Sequence, residues 1–294
     1  MPVDTILLAA FGPALVAGVF LLPWMPWAKK PPSTLLRFSA AVGVLGAYLL
    51  SQAVLEGFPA YPPVDSGNWV TFLGIGLIAF ALLPGLEELN GTETLPIRIA
   101  VVGAGVALVW RPLIENTWET TPAVLTVFGT VALMLAAWSS LETFAARRPG
   151  APFPVAMLLL LSGISVITVL DESLKYGMFF GALAASQGAA AVVGFWGGRF
   201  KADGAYALVL FGLMFSLLAA THAWVYYEPT YNRFLLYFAA MLSAGGLEYI
   251  KPFARMPTLK REGLRLSVIL LFLGIALAIS IAGQGGAEDD YGYY

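Results

Sequence analysis

Residues 153–171 read FPVAMLLLLSGISVITVLD, eighteen uncharged residues closed by Asp171. A stretch of that length and composition is too apolar for the surface of a soluble protein and long enough to cross the roughly 30 Å hydrocarbon core of a bilayer as a helix. It is not isolated. Working outward, apolar runs bounded by polar residues, Pro or Gly fall at 4–24, 35–55, 69–86, 97–113, 122–144, 176–197, 204–226, 232–250 and 264–282, which with 153–171 predicts ten transmembrane helices. The fourth is the shortest and is flanked by Arg98 and Arg111, whose long side chains can snorkel towards headgroups.

The whole composition agrees with that reading. Of 294 residues, 59% are hydrophobic and 12% charged, with a mean hydropathy of +0.79, which excludes an ordinary soluble domain. Ten spans of about 20 residues leave short connections, too short for an appended catalytic domain. The expected fold class is therefore an all-α integral membrane protein, a bundle of about ten transmembrane helices.

Lys and Arg assign the sides, because cytoplasmic loops hold their excess. Of the 16 basic residues, alternate connections on one side take 13, from Lys29 and Lys30 to Arg265, and the other side takes only Arg111, Lys175 and Arg233. A miscounted span in the middle would have split the clusters between faces. Both termini are thus expected on the non-cytoplasmic side, in a membrane of the bacterial inner type. The opening Met-Pro-Val-Asp has no basic n-region, so the first run reads as a retained span rather than a cleaved signal.

Residues 1–282 read as a single polytopic domain, and 283–294 as a flexible acidic, Tyr-rich tail ending Glu288-Asp289-Asp290-Tyr291-Gly292-Tyr293-Tyr294. Two internal organisations fit. Leu86-Glu87, Leu141-Glu142 and Leu247-Glu248 end three odd-numbered spans at intervals of 55 and 106, which suggests five duplicated hairpins. Alternatively, 1–146 and 153–282 form two five-span halves of opposite orientation, as in many transporters.

Composition also removes chemistry. With no cysteine, thiolate metal sites, iron–sulfur clusters and cysteine nucleophiles are excluded, and one histidine, His222, cannot build a bis-histidine haem site. No cofactor is expected. A net charge of −2 without a basic face excludes nucleic acid as a partner. The remaining partners are the lipid bilayer, other membrane proteins, or a second copy of the chain.

Candidate functional residues are few. Glu87, Glu142 and Glu248 are read at helix C-termini, where the macrodipole disfavours a carboxylate. Each pairs with nearby Arg98, Arg147, Arg148 or Lys251, joins a carboxylate ring at the cytoplasmic mouth of a cation or proton path, or stands unpaired in solvent. Gln187 stands mid-span among small residues, with Gly194 and Gly198 adding a GxxxG spacing; it either holds helices together or contacts a solute. That span is expected to be the tightly packed central helix. Ser162, Ser165, Thr168 and Ser216 could line a polar path with Gln187 across spans six to nine, with His222 near its outer end as a hydrogen-bonding or proton-relay residue. Asp171, Glu172 and Lys175 lie in an outer turn, where a local pair between residues 171 and 175 is expected.

Three function classes follow. The first is a permease-like protein for a small solute, the second a non-catalytic subunit or scaffold docking partners through its acidic outer face and tail, and the third a membrane-embedded enzyme acting on lipid. No HExxH, P-loop or GxSxG motif supports the third.

Overall fold

The computed structural model describes residues 3–26, 33–63, 65–81, 94–171, 173–197, 200–202, 204–221 and 231–285. Among these every regular element is helical: α1 (Val3–Leu21), α2 (Ser33–Leu55), α3 (Ser66–Ala81), α4 (Leu95–Asn116), α5 (Thr120–Arg147), α6 (Pro152–Leu170), α7 (Leu174–Gly197), α8 (Ala205–Thr221), α9 (Tyr231–Gly246), the single turn α10 (Lys251–Ala254) and α11 (Thr258–Gly285). Each predicted apolar run carries one long helix. Six of them are long and apolar enough to cross a bilayer: Phe38–Leu55, Leu95–Asn116, Ala123–Arg147, Pro152–Leu170, Leu174–Trp196 and Thr258–Gly283. The apolar segments Phe11–Trp24, Gly67–Ala81 and Ala205–Thr221 are shorter.

Helix boundaries follow from local chemistry. Pro96 and Pro152 open α4 and α6 in the first turn, where a missing N–H costs nothing. Asp65 accepts a 2.7 Å bond from the Asn68 N–H and so satisfies a free donor at the start of α3. Between α5 and α6 the chain reverses through Gly150 at φ +88°, which only glycine adopts without strain; its N–H donates to Phe200 O at 2.8 Å and fastens this turn to the α7–α8 connection.

Small residues let the helices approach. A Cβ on Gly12 would lie 2.7 Å from Leu50 and one on Gly46 3.0 Å from Val16, so α1 and α2 pack antiparallel. In the α6–α7 hairpin a Cβ on Gly177 would overlap Val169, and Ser165 Oγ donates to Gly177 O at 2.6 Å. Gly194 meets the backbone of Gly150 and Ala151 equally closely; Gly198 lies outside the described residues.

The central helix is α8, a correction to the expectation that span seven would hold that place. Every residue from Tyr206 to Ala220 is buried, against α2, α3, α4 and α7. Trp138 lies edge-on to Phe211 and parallel to Phe215, which stacks on Phe238, and Trp110 Nε1 donates to Ala219 O at 2.6 Å. By contrast α7 buries its small-residue face and leaves Val192, Phe195 and Trp196 exposed. Sequence could not separate the two, because a helix facing lipid and a helix facing protein are both apolar.

Two ends are distinct. One gathers Glu56, Asp65, Asp171, Lys175 and Arg233 through ion pairs joining α2, α3, α6, α7 and α9. The other gathers Arg98, Glu142, Arg148, Glu248, Arg261, Glu262 and Arg265 through pairs joining α4, α5, α11 and the turn after α9. We call them the acidic and the basic end.

Candidate functional site

At the basic end Glu142 and Glu248 occupy unlike positions. Glu142 lies inside α5, which runs on to Arg147, so the placement at a helix terminus does not hold for it. Its carboxylate meets Arg98 Nη2 at 2.5 Å, and the same nitrogen lies 2.5 Å from Thr94 Oγ1. Arg98 is buried by this pairing rather than snorkelling to a surface. Glu248 sits in a 3₁₀ turn beyond α9 and is buried. Arg148 binds it with two bonds of 2.8 Å, Arg265 donates to it, and Arg147 Nη1 caps its backbone carbonyl at 3.0 Å. Burial alone would raise the Glu248 pKa, but the Arg148 and Arg265 guanidiniums outweigh it and hold the carboxyl below the usual range. Arg265, fully buried, also pairs with Glu262 at 3.1 Å and lies 3.7 Å over the Phe144 ring. Both glutamates are thus engaged by arginines; Glu87 lies outside the described residues.

The acidic end differs from expectation in its pairing. Lys175 reaches Glu56 at 2.6 Å and Asp65 at 3.9 Å, tying α7 to α2 and α3, while Asp171 pairs with Arg233, which also donates to Ser280 at 3.0 Å and ties α6 to α9 and α11. The local 171–175 pair gives way to these long-range ones: α6 ends at Leu170 and α7 begins at Leu174, so the two residues do not share the continuous helix that i,i+4 pairing requires. Glu172, His222 and residues 286–294 lie outside the described residues.

Below Lys175 is a polar group with no counterpart in the sequence reading. Tyr48, Ser51, Gln52, Asn68 and Thr71 are all buried between α2, α3 and α7. Tyr48 and Thr71 hydroxyls meet at 3.3 Å and Gln52 Nε2 donates to Glu56 at 2.9 Å, while Ser51 Oγ and Gln52 Oε1 have no hydrogen-bond partner among the described residues. The available signal was the Ser51-Gln52 pair inside an apolar run, the same dipeptide as Ser186-Gln187.

The polar residues expected to converge across spans six to nine do not. Gln187 Oε1 accepts from Tyr206 at 2.7 Å and Nε2 donates to Ser186 at 3.2 Å, with both Gln187 and Tyr206 buried. Ser165 is engaged with Gly177, Thr168 is buried and Ser162 half-buried. Gln187→Leu should therefore cost about 1–3 kcal/mol by stranding the Tyr206 hydroxyl. Gln187→Leu with Tyr206→Phe should recover most of that loss; chemical denaturation in micelles measures both.

Ser216 lines a cavity. Between α3 and α4, floored by α8, lies an open cleft of about 580 Å³. Trp69, Phe72, Leu73, Gly76 and Phe80 line one wall at helical spacing, and Ile97, Ala100, Val101, Ala104 and Leu108 the other. Gly76, Ala100 and Ala104 keep it wide: a Cβ on Gly76 would meet nothing within 4 Å. From Trp69 to Phe80 it follows α3 for about 17 Å. Among the described residues that line it, the Ser216 hydroxyl and the Trp69 indole N–H are the polar side-chain groups. A second groove of about 660 Å³, between α1 and α7, is lined by no polar side chain among the described residues.

No protein-family model, no curated protein and no solved structure matches the chain.

Proposed function

We propose that the protein is a permease-like integral membrane protein of ten spans, with both ends on the non-cytoplasmic side, whose solute is apolar or amphiphilic and occupies the α3–α4 cleft. The span count and sidedness rest on the 13 to 3 division of Lys and Arg and agree with the gathering of charge at two ends. The cleft carries the choice of solute. It has the volume of a ligand site, and walls built from apolar side chains with one hydroxyl and one indole N–H suit a hydrocarbon chain bearing few hydrogen-bonding groups. They do not suit an ion or a sugar, whose desolvation such walls would leave uncompensated. The scaffold reading finds its proposed tail outside the described residues and gains nothing comparable.

A diazirine-bearing acyl phospholipid in nanodiscs tests this. Photolabel is expected to concentrate on peptides covering 69–80 and 97–108, and Gly76→Phe, which fills the cleft, should lower it about tenfold, the equivalent of 1.4 kcal/mol. Labelling spread evenly over exposed apolar positions such as Leu125 and Phe128 means ordinary annular lipid and overturns the solute assignment. If labelling is local, proteoliposome translocation of the same lipid tests movement.

A further inference from the structure

The connection between α9 and α11 and the first turn of α11 hold three cations that the ion-pair network of the described residues leaves over. Glu248 and Glu262 are taken by Arg148, Arg261 and Arg265. Lys251, Arg255 and Lys260 are exposed and form no ion pair among the described residues. They do not hang on a loose loop. The turn α10 is pinned by Phe253, buried at 2% exposure and 5.4 Å beneath the Arg265 guanidinium, and Pro252 and Pro257 restrict the backbone on either side.

Apolar side chains share the same surface. Tyr249 is 65% exposed, Ile250 49% and Leu259 87%, and Arg147 lies 4.9 Å over the Tyr249 ring. Just beyond, α11 becomes the apolar helix that runs to Gly283. Cations interleaved with exposed apolar and aromatic side chains, fixed at the entrance of an apolar helix, have the chemistry of an element lying in the headgroup layer. Its apolar groups reach acyl chains and its cations reach phosphates.

We propose that residues 249–260 form a preorganised contact for the phosphate headgroups of anionic phospholipid on the basic side of the protein. The proposal rests on the membrane-spanning reading and is independent of the cleft. Charge complementarity selects the occupant: among the described residues the neighbouring carboxylates Glu248 and Glu262 are already paired, so the charge these three side chains add is positive. Geometry adds to it, since the three cations fall within ten residues, Lys251 and Arg255 on and just after a turn anchored by the buried Phe253 and Lys260 in the first turn of α11.

Native mass spectrometry of the full chain released from nanodiscs of mixed phosphatidylglycerol and phosphatidylcholine provides the test. Wild type is expected to retain phosphatidylglycerol preferentially. Each cation at an anionic surface is worth about fivefold, so Lys251→Gln, Arg255→Gln and Lys260→Gln together should cut that preference by about a hundredfold at low salt. All three side chains are exposed, and unchanged thermal unfolding of the triple variant confirms an intact fold. Arg111→Gln, at the acidic end and paired with Glu115, should leave the preference in place. Preference should also fade as salt screens the contact. Equal retention of the two lipids by wild type, or an undiminished preference in the triple variant, overturns the proposal. Displacement of phosphatidylglycerol by inorganic phosphate would instead assign the cations to a soluble anion. Loss of a bound acidic protein with lipid preference intact would assign them to a protein partner. Loss of cleft photolabelling, by contrast, leaves this result untouched.

Discussion

Glu248→Ala is expected to destabilise the protein by about 3–5 kcal/mol, because it strands a buried guanidinium rather than removing a favourable contact alone. Arg265 is fully buried, and among the described residues its Nε lacks a hydrogen-bond partner and Glu248 is one of two carboxylates that compensate its charge. The other, Glu262, is shared with Arg261 and Arg148. Arg148 is partly exposed and can turn to water; Arg265 cannot. Replacing Glu248 and Arg265 together by methionine should therefore be far less damaging than Glu248→Ala, since no buried charge remains. Glu115→Gln, which breaks an exposed i,i+4 pair with Arg111, should change stability by less than about 1 kcal/mol. Chemical denaturation in micelles orders the three variants. A Glu248→Ala variant as stable as Glu115→Gln shows that the network is not a fastening of α5, α9 and α11. The depressed Glu248 pKa gives the same interaction a pH signature. Its contribution is complete above the unfolded-state pKa of a glutamate and is lost as pH falls through the lower folded value.

The sequence exposes what the bilayer demands and conceals what the helices do to each other. Apolar runs and Lys/Arg asymmetry read out transfer free energy, which acts residue by residue, and each run carries one helix. Packing leaves no such mark. Tyr206–Ala220 is buried all round and Phe195-Trp196 is exposed, yet both segments are apolar, so the central helix could not be chosen from hydropathy. Small residues mislead for the same reason: those of α7 serve contacts with α1, α6 and the turn at Gly150 without making it central. Charge is intermediate. The sequence places Arg98 and Arg148 near Glu142 and Glu248, because nearness to a common end suffices. Arg265 completing the Glu248 site, Lys175 reaching Glu56 and Arg233 reaching Asp171 depend on which helices are neighbours. Tyr48, Asn68 and Thr71 were missed on the same ground: singly they are ordinary polar residues in apolar runs, and only the approach of α2 to α3 makes a group of them. Ser216 was named as polar lining, but the cleft it faces is made by the narrow side chains of Gly76, Ala100 and Ala104 on two other helices.

Gly245→Ala should rival the loss of Glu248, and its neighbour supplies the control. A Cβ on Gly245 would overlap the Ser140 carbonyl of α5, a backbone atom that cannot swing aside, and would come within 2.6 Å of Ser140 Oγ. At Gly246, one residue on, a Cβ meets nothing within 4 Å. The crossing of α5 and α9 is set here by more than contact. Ser140 Oγ donates towards the carbonyls of Met241 and Leu242 at 3.1 and 2.9 Å and accepts from the Gly245 N–H at 3.1 Å, so one hydroxyl engages three backbone groups near the end of α9. One methyl group must push the two helices apart, which disrupts these bonds in a buried setting. It also moves Glu248, three residues further, away from Arg148 on α5. Overpacking commonly costs about 1–3 kcal/mol; with the Ser140 bonds and the Glu248 pair affected as well, a loss of about 3 kcal/mol or more is expected. Gly246→Ala should lie within about 0.5 kcal/mol of wild type. Combining Gly245→Ala with Glu248→Ala should give less than the sum of the two losses, because both release the same α5–α9 fastening. Strict additivity would place the two residues in separate units and contradict the coupling through α5.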